Sequence, residues 1–181
     1  MAMSSTTSMT FSSDAAMDTY ISGIKNAHAL EKQAIQLMER QVERIESYPE
    51  IEQLLRGHIR ETEVQVQRLD EILHSFGEDR SLLKDLATQV SGNLAAIGHS
   101  IMPDEVLKNH FANHAFENFE IASYESLIAM AEATGHQQHV SSLRATLSEE
   151  EKMARTLREM TPELSLKYMR LYEQSTMAAK T

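Results

Sequence analysis

The segment EVLKNHFANHAFENFEIASYESLIAMA, residues 105–131, decides how the chain is read. Steps of three and four through it give Val106, His110, Asn113, Glu117, Glu120, Tyr124, Leu127 and Ala131. That spacing is one face of an α-helix, the face a bundle turns to its core. Its end from Tyr124 to Ala131 is suited to burial, while its middle carries two carboxylates. Three other segments have a similar stripe. The first gives Ile21, Ile24, His28, Glu31, Ile35, Met38, Val42 and Ile45. The second gives Ile51, Leu54, His58, Glu61, Gln65, Leu69, Ile72 and Phe76. The last gives Val140, Leu143, Leu147, Glu150, Ala154 and Leu157. Each stripe carries glutamate near its centre.

The helix boundaries follow from the few breaking residues. Ser13-Asp14 caps a first helix over about 14–46, and Pro49 opens a second that Gly77 stops. Residues 79–101 hold a shorter helical stretch and its connections. Pro103-Asp104-Glu105 opens a third long helix ending at Gly135, and a fourth runs over about 136–160. Thr161-Pro162-Glu163 reads as the start of a fifth helix reaching about 177. No segment alternates with period two, so no strands are expected. Two tight hairpins joined by one long connection describe an all-α, ferritin-like four-helix bundle with a C-terminal helix.

Composition agrees and excludes much else. The 181 residues suit one domain, and only 6 are Gly and 3 Pro. Cysteine is absent, which removes disulfides, thiolate metal sites and thiol catalysis. The net charge of -10 argues against nucleic acid or an anionic membrane as partner. No apolar run suits a bilayer, and residues 1–13 lack the features of a secretory signal. The expectation is a soluble, cytoplasmic protein with a disordered tail over 1–13 and a bundle domain over 14–178.

The glutamates carry the chemistry. A buried, unpaired carboxylate costs several kcal/mol, and five together repel. Protons, cations or metal ions must neutralise them, and carboxylates with a few imidazoles or amides suit iron or manganese. Glu31 and Glu61 are 30 residues apart, as are Glu120 and Glu150. In antiparallel hairpins with similar loops, equal separations put the pairs at equal heights. A short internal repeat points the same way: residues 28–31 and 114–117 each read His-Ala-apolar-Glu. His74, His99, His136 and His139 read as surface residues, and Glu149-Glu150-Glu151 as a solvated run with Glu150 alone inward.

These segments also resemble a known family. Leu30-Glu31-Lys32-Gln33, His58-Ile59-Arg60-Glu61-Thr62, Gln65-Val66-Gln67-Arg68-Leu69, residues 117–124 and Leu147-Ser148-Glu149-Glu150 look like the YciE/YciF family of bacterial ferritin-like stress proteins. The resemblance implies a fold related to rubrerythrin, a role in stress, and a homodimer. It implies metal ligands at Glu31, Glu61 (as the bridge), Glu117, Glu120 and Glu150, with Gln65, His58 and His28 as further ligands or partners. The chain departs from the common pattern. Val64 and Met153 stand where di-iron sites carry His, Asn118 where the family often has His, and Ala154 where it has an acid.

Two functions follow as expectations. One is a site for two iron ions per chain, or manganese, reacting with peroxide or oxygen in an oxidase or peroxidase manner. The other is a non-enzymatic interaction protein whose metal site is vestigial. A cage-forming iron store is a third, less favoured reading.

Overall fold

The computed structural model describes residues 10–77 and 105–178. Four helices make up the described fold: α1 (Asp14–Val42), α2 (Pro49–Ser75), α3 (Glu105–Ala133) and α4 (Gln137–Ala178). No strand occurs among the described residues. Residues 1–9 of the tail expected over 1–13, the stretch over 79–101 and the opening at Pro103-Asp104 lie outside them.

Caps set the ends. Ser13 accepts from the Ala16 N–H to start α1, and Pro49 sits in the first turn of α2. Gly77 and Gly135 turn the chain after α2 and α3 with φ of 75° and 79°, a conformation that glycine adopts freely. α1 stops at Val42 rather than near residue 46. Val42 is its last buried residue, and the chain must reverse before Pro49, which keeps Tyr48 out of the helical region.

Pairwise contacts fix the topology. Gln41 bonds Asn113, and the Phe11 N–H reaches the Ala133 carbonyl, so α1 and α3 run antiparallel. Lys167 bonds Glu50, Lys152 bonds Glu61 and Ser75 meets His139, so α2 and α4 also run antiparallel. α1–α2 and α3–α4 are the two hairpins. α2 therefore ends, and α3 begins, at opposite ends of the bundle, as the long connection requires.

The expected fifth helix is the second half of α4. Pro162 lies inside one continuous helix of 42 residues. An interior proline removes one hydrogen bond and crowds the preceding turn, which costs about 3 kcal/mol. Two features offset it here. Pro162 and Arg158 are exposed, so the carbonyl left without a partner faces water. Leu164, one turn beyond Met160, is buried with Leu157, Met153, Leu55 and Tyr48, and each such burial contributes about 1.5–3 kcal/mol. Tertiary packing overrides the local break.

Apolar packing forms two clusters. One holds Tyr20, Ile24, Leu69, Leu73, Tyr124, Leu127 and Leu143. The other holds Met38, Val42, Leu55, Leu107, Met153, Leu157 and Leu164. In the first, α1 approaches α3 at Gly23, where a Cβ would stand 2.8 Å from the Leu127 side chain. Between the clusters lies a polar layer.

Candidate metal centre

That layer is built by four helices. Glu31 comes from α1, His58 and Gln65 from α2, Glu117 and Glu120 from α3, and Glu150 from α4. Their side chains are almost fully buried: Glu31 is 1 % exposed, Glu117 3 %, Glu120 1 %, Glu150 0 % and His58 3 %. Glu117 and Glu120 are three apart on one helix and so share a face.

The ligand atoms fall into two trios. Glu31, Glu120 and Glu150 form one, and His58, Glu117 and Glu150 form the other. Within each, the atoms lie within 4.8 Å of one another. Oxygen ligands about 2.1 Å from an ion are at most about 4.2 Å apart across it, so small movements would close either trio. Glu150 belongs to both.

Hydrogen bonds and close polar contacts hold this arrangement. The Tyr124 hydroxyl donates to Glu31 Oε1 at 2.5 Å. His58 Nε2 lies 3.3 Å from Glu117 Oε2 and 3.7 Å from Glu150 Oε2. Gln65 Nε2 donates a short bond to Glu150 and a second, of 3.1 Å, to Glu149. Arg68 grips Glu149 through both oxygens at 2.6 and 2.9 Å. A chain of contacts thus runs from the surface guanidinium to the shared carboxylate.

Burial dominates the electrostatics. It raises Glu31 to about 7 despite the Tyr124 bond and the nearby His58. It raises Glu120 well above the usual carboxylate range, helped by the charges of Glu31 and Glu150. It pushes Glu150 up to about 11, with Glu117 and Glu31 adding to the effect. For His58, burial opposes the charge, but Glu117 and Glu61 outweigh it and raise the imidazole. The layer is starved of positive charge.

The residues present fit a pair of divalent ions. Four buried carboxylates balance two double charges, with His58 as a neutral nitrogen ligand. One oxygen each of Glu120 and Glu150 lacks a hydrogen-bond partner, as does Gln65 Oε1, and Glu117 Oε2 has only the His58 contact. Buried oxygens in that state are costly unless something positive meets them. Hard oxygen donors with one imidazole suit iron or manganese.

The remaining expected residues lie apart from the trios. Glu61 is half-exposed, 3.5 Å from His58 Nδ1 and paired with Lys152 at 3.2 Å. The α2 residue bonded to Glu150 is Gln65, one turn beyond Glu61. α2 turns His58, Thr62 and Gln65 inward, so Glu61 falls at the edge of its buried face. His28 pairs with Asp70 at 3.1 Å, outside both trios. His139 is buried, not on the surface: Tyr20 and Ser75 hydrogen-bond its two ring nitrogens. Glu149 is not merely solvated, given its Arg68 clamp. Arg68 was findable, since it follows Gln65 by three residues on the same helix.

Four packed helices around a layer of buried carboxylates define the class: an all-α bundle of the ferritin-like kind with a candidate metal centre. The chain belongs to the family described as a domain of unknown function, DUF892, whose pattern matches residues 15–170. It is similar to YciF of Escherichia coli, with 26 % identity over 140 residues, covering 74 % of this chain and 82 % of YciF. The crystal structure of that stress protein superposes with a TM-score of 0.64 at 23 % identity, covering 82 % of this chain and 96 % of the other. A protein from Xanthomonas campestris pv. campestris superposes with a TM-score of 0.73 at 25 % identity, covering 87 % and 99 %. Among the described residues no helix is long and apolar enough to cross a membrane.

Proposed function

We propose that this YciF-like chain binds two divalent metal ions, iron first and manganese as the alternative, in a stress-related role. The carrying observation is that Glu150 belongs to both trios while one of its buried oxygens has no partner. In this reading Glu31, Glu120 and Glu150 would hold one ion, and His58, Glu117 and Glu150 the other. Gln65 and the Arg68–Glu149 pair keep Glu150 in place. Tyr124 fixes the rotamer of Glu31. Bound iron would supply redox chemistry toward peroxide or oxygen, and each trio leaves coordination positions for such a ligand. The apolar clusters on either side keep bulk water from the layer.

Self-association is part of the proposal. The second half of α4 exposes Leu166, Met169 and Tyr172, an apolar strip suited to a second copy of the chain.

The test is elemental analysis after anaerobic loading with iron(II) and desalting. About two ions per chain are expected, lost on Glu150→Gln. A wild-type value near zero overturns the proposal.

A further inference from the structure

Burial creates a problem for any ion that uses this site. The four carboxylates are sealed, so a cation needs an opening. A cavity of about 380 Å³ lies between α2 and α4. Its lining includes Gly57, His58, Glu61, Lys152 and Thr156. A divalent ion with six waters, at about 30 Å³ per water, occupies about 180 Å³, so the space admits a hydrated cation.

His58 joins this cavity to the trios. It lines the cavity and is the one member of either trio that does so. Its Nδ1 faces Glu61 at 3.5 Å and its Nε2 faces Glu117 at 3.3 Å. Glu61 is 38 % exposed and rests against Lys152, itself 70 % exposed. Such an exposed pair is worth about 0–1 kcal/mol, so a divalent ion exchanges for the ammonium readily. Arg60 also lines the cavity, but as an exposed residue in high dielectric it repels weakly.

We propose that this groove is the path by which divalent cations reach the buried carboxylates. Glu61 receives the ion, Lys152 is its resting counter-ion, and His58 passes it inward. The inference rests on the metal-binding reading above and adds a role for Glu61 outside the final ligand set.

Gly57 offers a clean obstruction. A Cβ there meets nothing within 4 Å, so a side chain at this position starts in open space beside the groove. Replacing a helical glycine also favours the helix.

The experiment is stopped-flow mixing of the metal-free protein with cobalt(II), whose visible absorption reports binding, followed by equilibrium titration. Gly57→Leu should slow uptake several-fold. Glu61→Gln should slow it about tenfold at low ionic strength, and Lys152→Gln should speed it. All three should reach the wild-type stoichiometry. Wild-type rates in both Gly57→Leu and Glu61→Gln overturn the path while leaving the metal site standing. Reduced stoichiometry in Glu61→Gln also overturns it, because Glu61 would then be a ligand. No uptake by the wild type removes the metal site and the path together.

Discussion

The Tyr124 hydroxyl donates to Glu31 across the interface of the two hairpins, at 2.5 Å and out of reach of water. This one bond ties α3 to α1 at the level of the carboxylates. Tyr124→Phe removes the donor and leaves a buried acceptor, a loss of about 1–3 kcal/mol. Urea denaturation in chelator should show it in full. With metal bound, Glu31 has another partner, so the loss should shrink. An equal loss in both conditions would mean that no ion reaches Glu31.

Shared and unshared ligands should behave differently. Glu150→Gln should abolish binding of both ions, whereas Glu31→Gln should leave about one per chain, because the His58–Glu117–Glu150 trio is untouched. Elemental analysis separates them. Identical loss in both variants would mean that the two sites fill only together.

Metal-free stability should depend on pH with a definite sign. Glu31 is raised to about 7 and Glu150 to about 11. Both exceed the unfolded value of about 4.3. The folded chain then holds protons that the unfolded chain releases. Stability is fullest below the unfolded value and is lost as pH rises through about 7 for Glu31 and toward about 11 for Glu150. In chelator, the urea midpoint should therefore climb as pH falls from about 8 to about 5.5. The doubly substituted Glu31→Gln, Glu150→Gln protein should show a flatter profile. Burial lowers His110 and His139, which contribute the opposite slope in both proteins and cancel in the comparison.

Pro162→Ala tests the continuity of α4. Inside one helix, the substitution should restore a hydrogen bond and stabilise by about 1–3 kcal/mol. At the first position of a separate helix it would be neutral or harmful. The thermal midpoint distinguishes them.

Much of this was legible in the chain. Three of the four stripes carry their glutamates inward, at Glu31, Glu117, Glu120 and Glu150, because a spacing of three and four keeps them on the core face. Ser13, Pro49, Gly77 and Gly135 mark ends through local backbone preference, which sequence reports directly. Pro162 misled for the complementary reason: its local preference was outweighed by Leu164, whose burial depends on Tyr48 and Leu55 over a hundred residues away. Glu61 differs for a related reason: the rotation of α2 about its axis is set by packing, which turns Thr62 and Gln65 inward and leaves Glu61 at the edge. His139 read as a surface residue, yet it is buried, with Tyr20 and Ser75 bonded to its ring.

Gly23 has a consequence for the carboxylates. Its missing side chain lets α1 lie close to α3 against Leu127. Glu31 lies eight residues along α1, about 12 Å at 1.5 Å per residue. The interaxial distance set at Gly23 therefore carries through two stiff turns to the gap between Glu31 and Glu120. The width of the carboxylate layer is gauged from a position that contributes no side-chain atom to it. A methyl group there would either turn Leu127 aside or widen that layer, and so, on the proposed reading, change which ionic radius it fits.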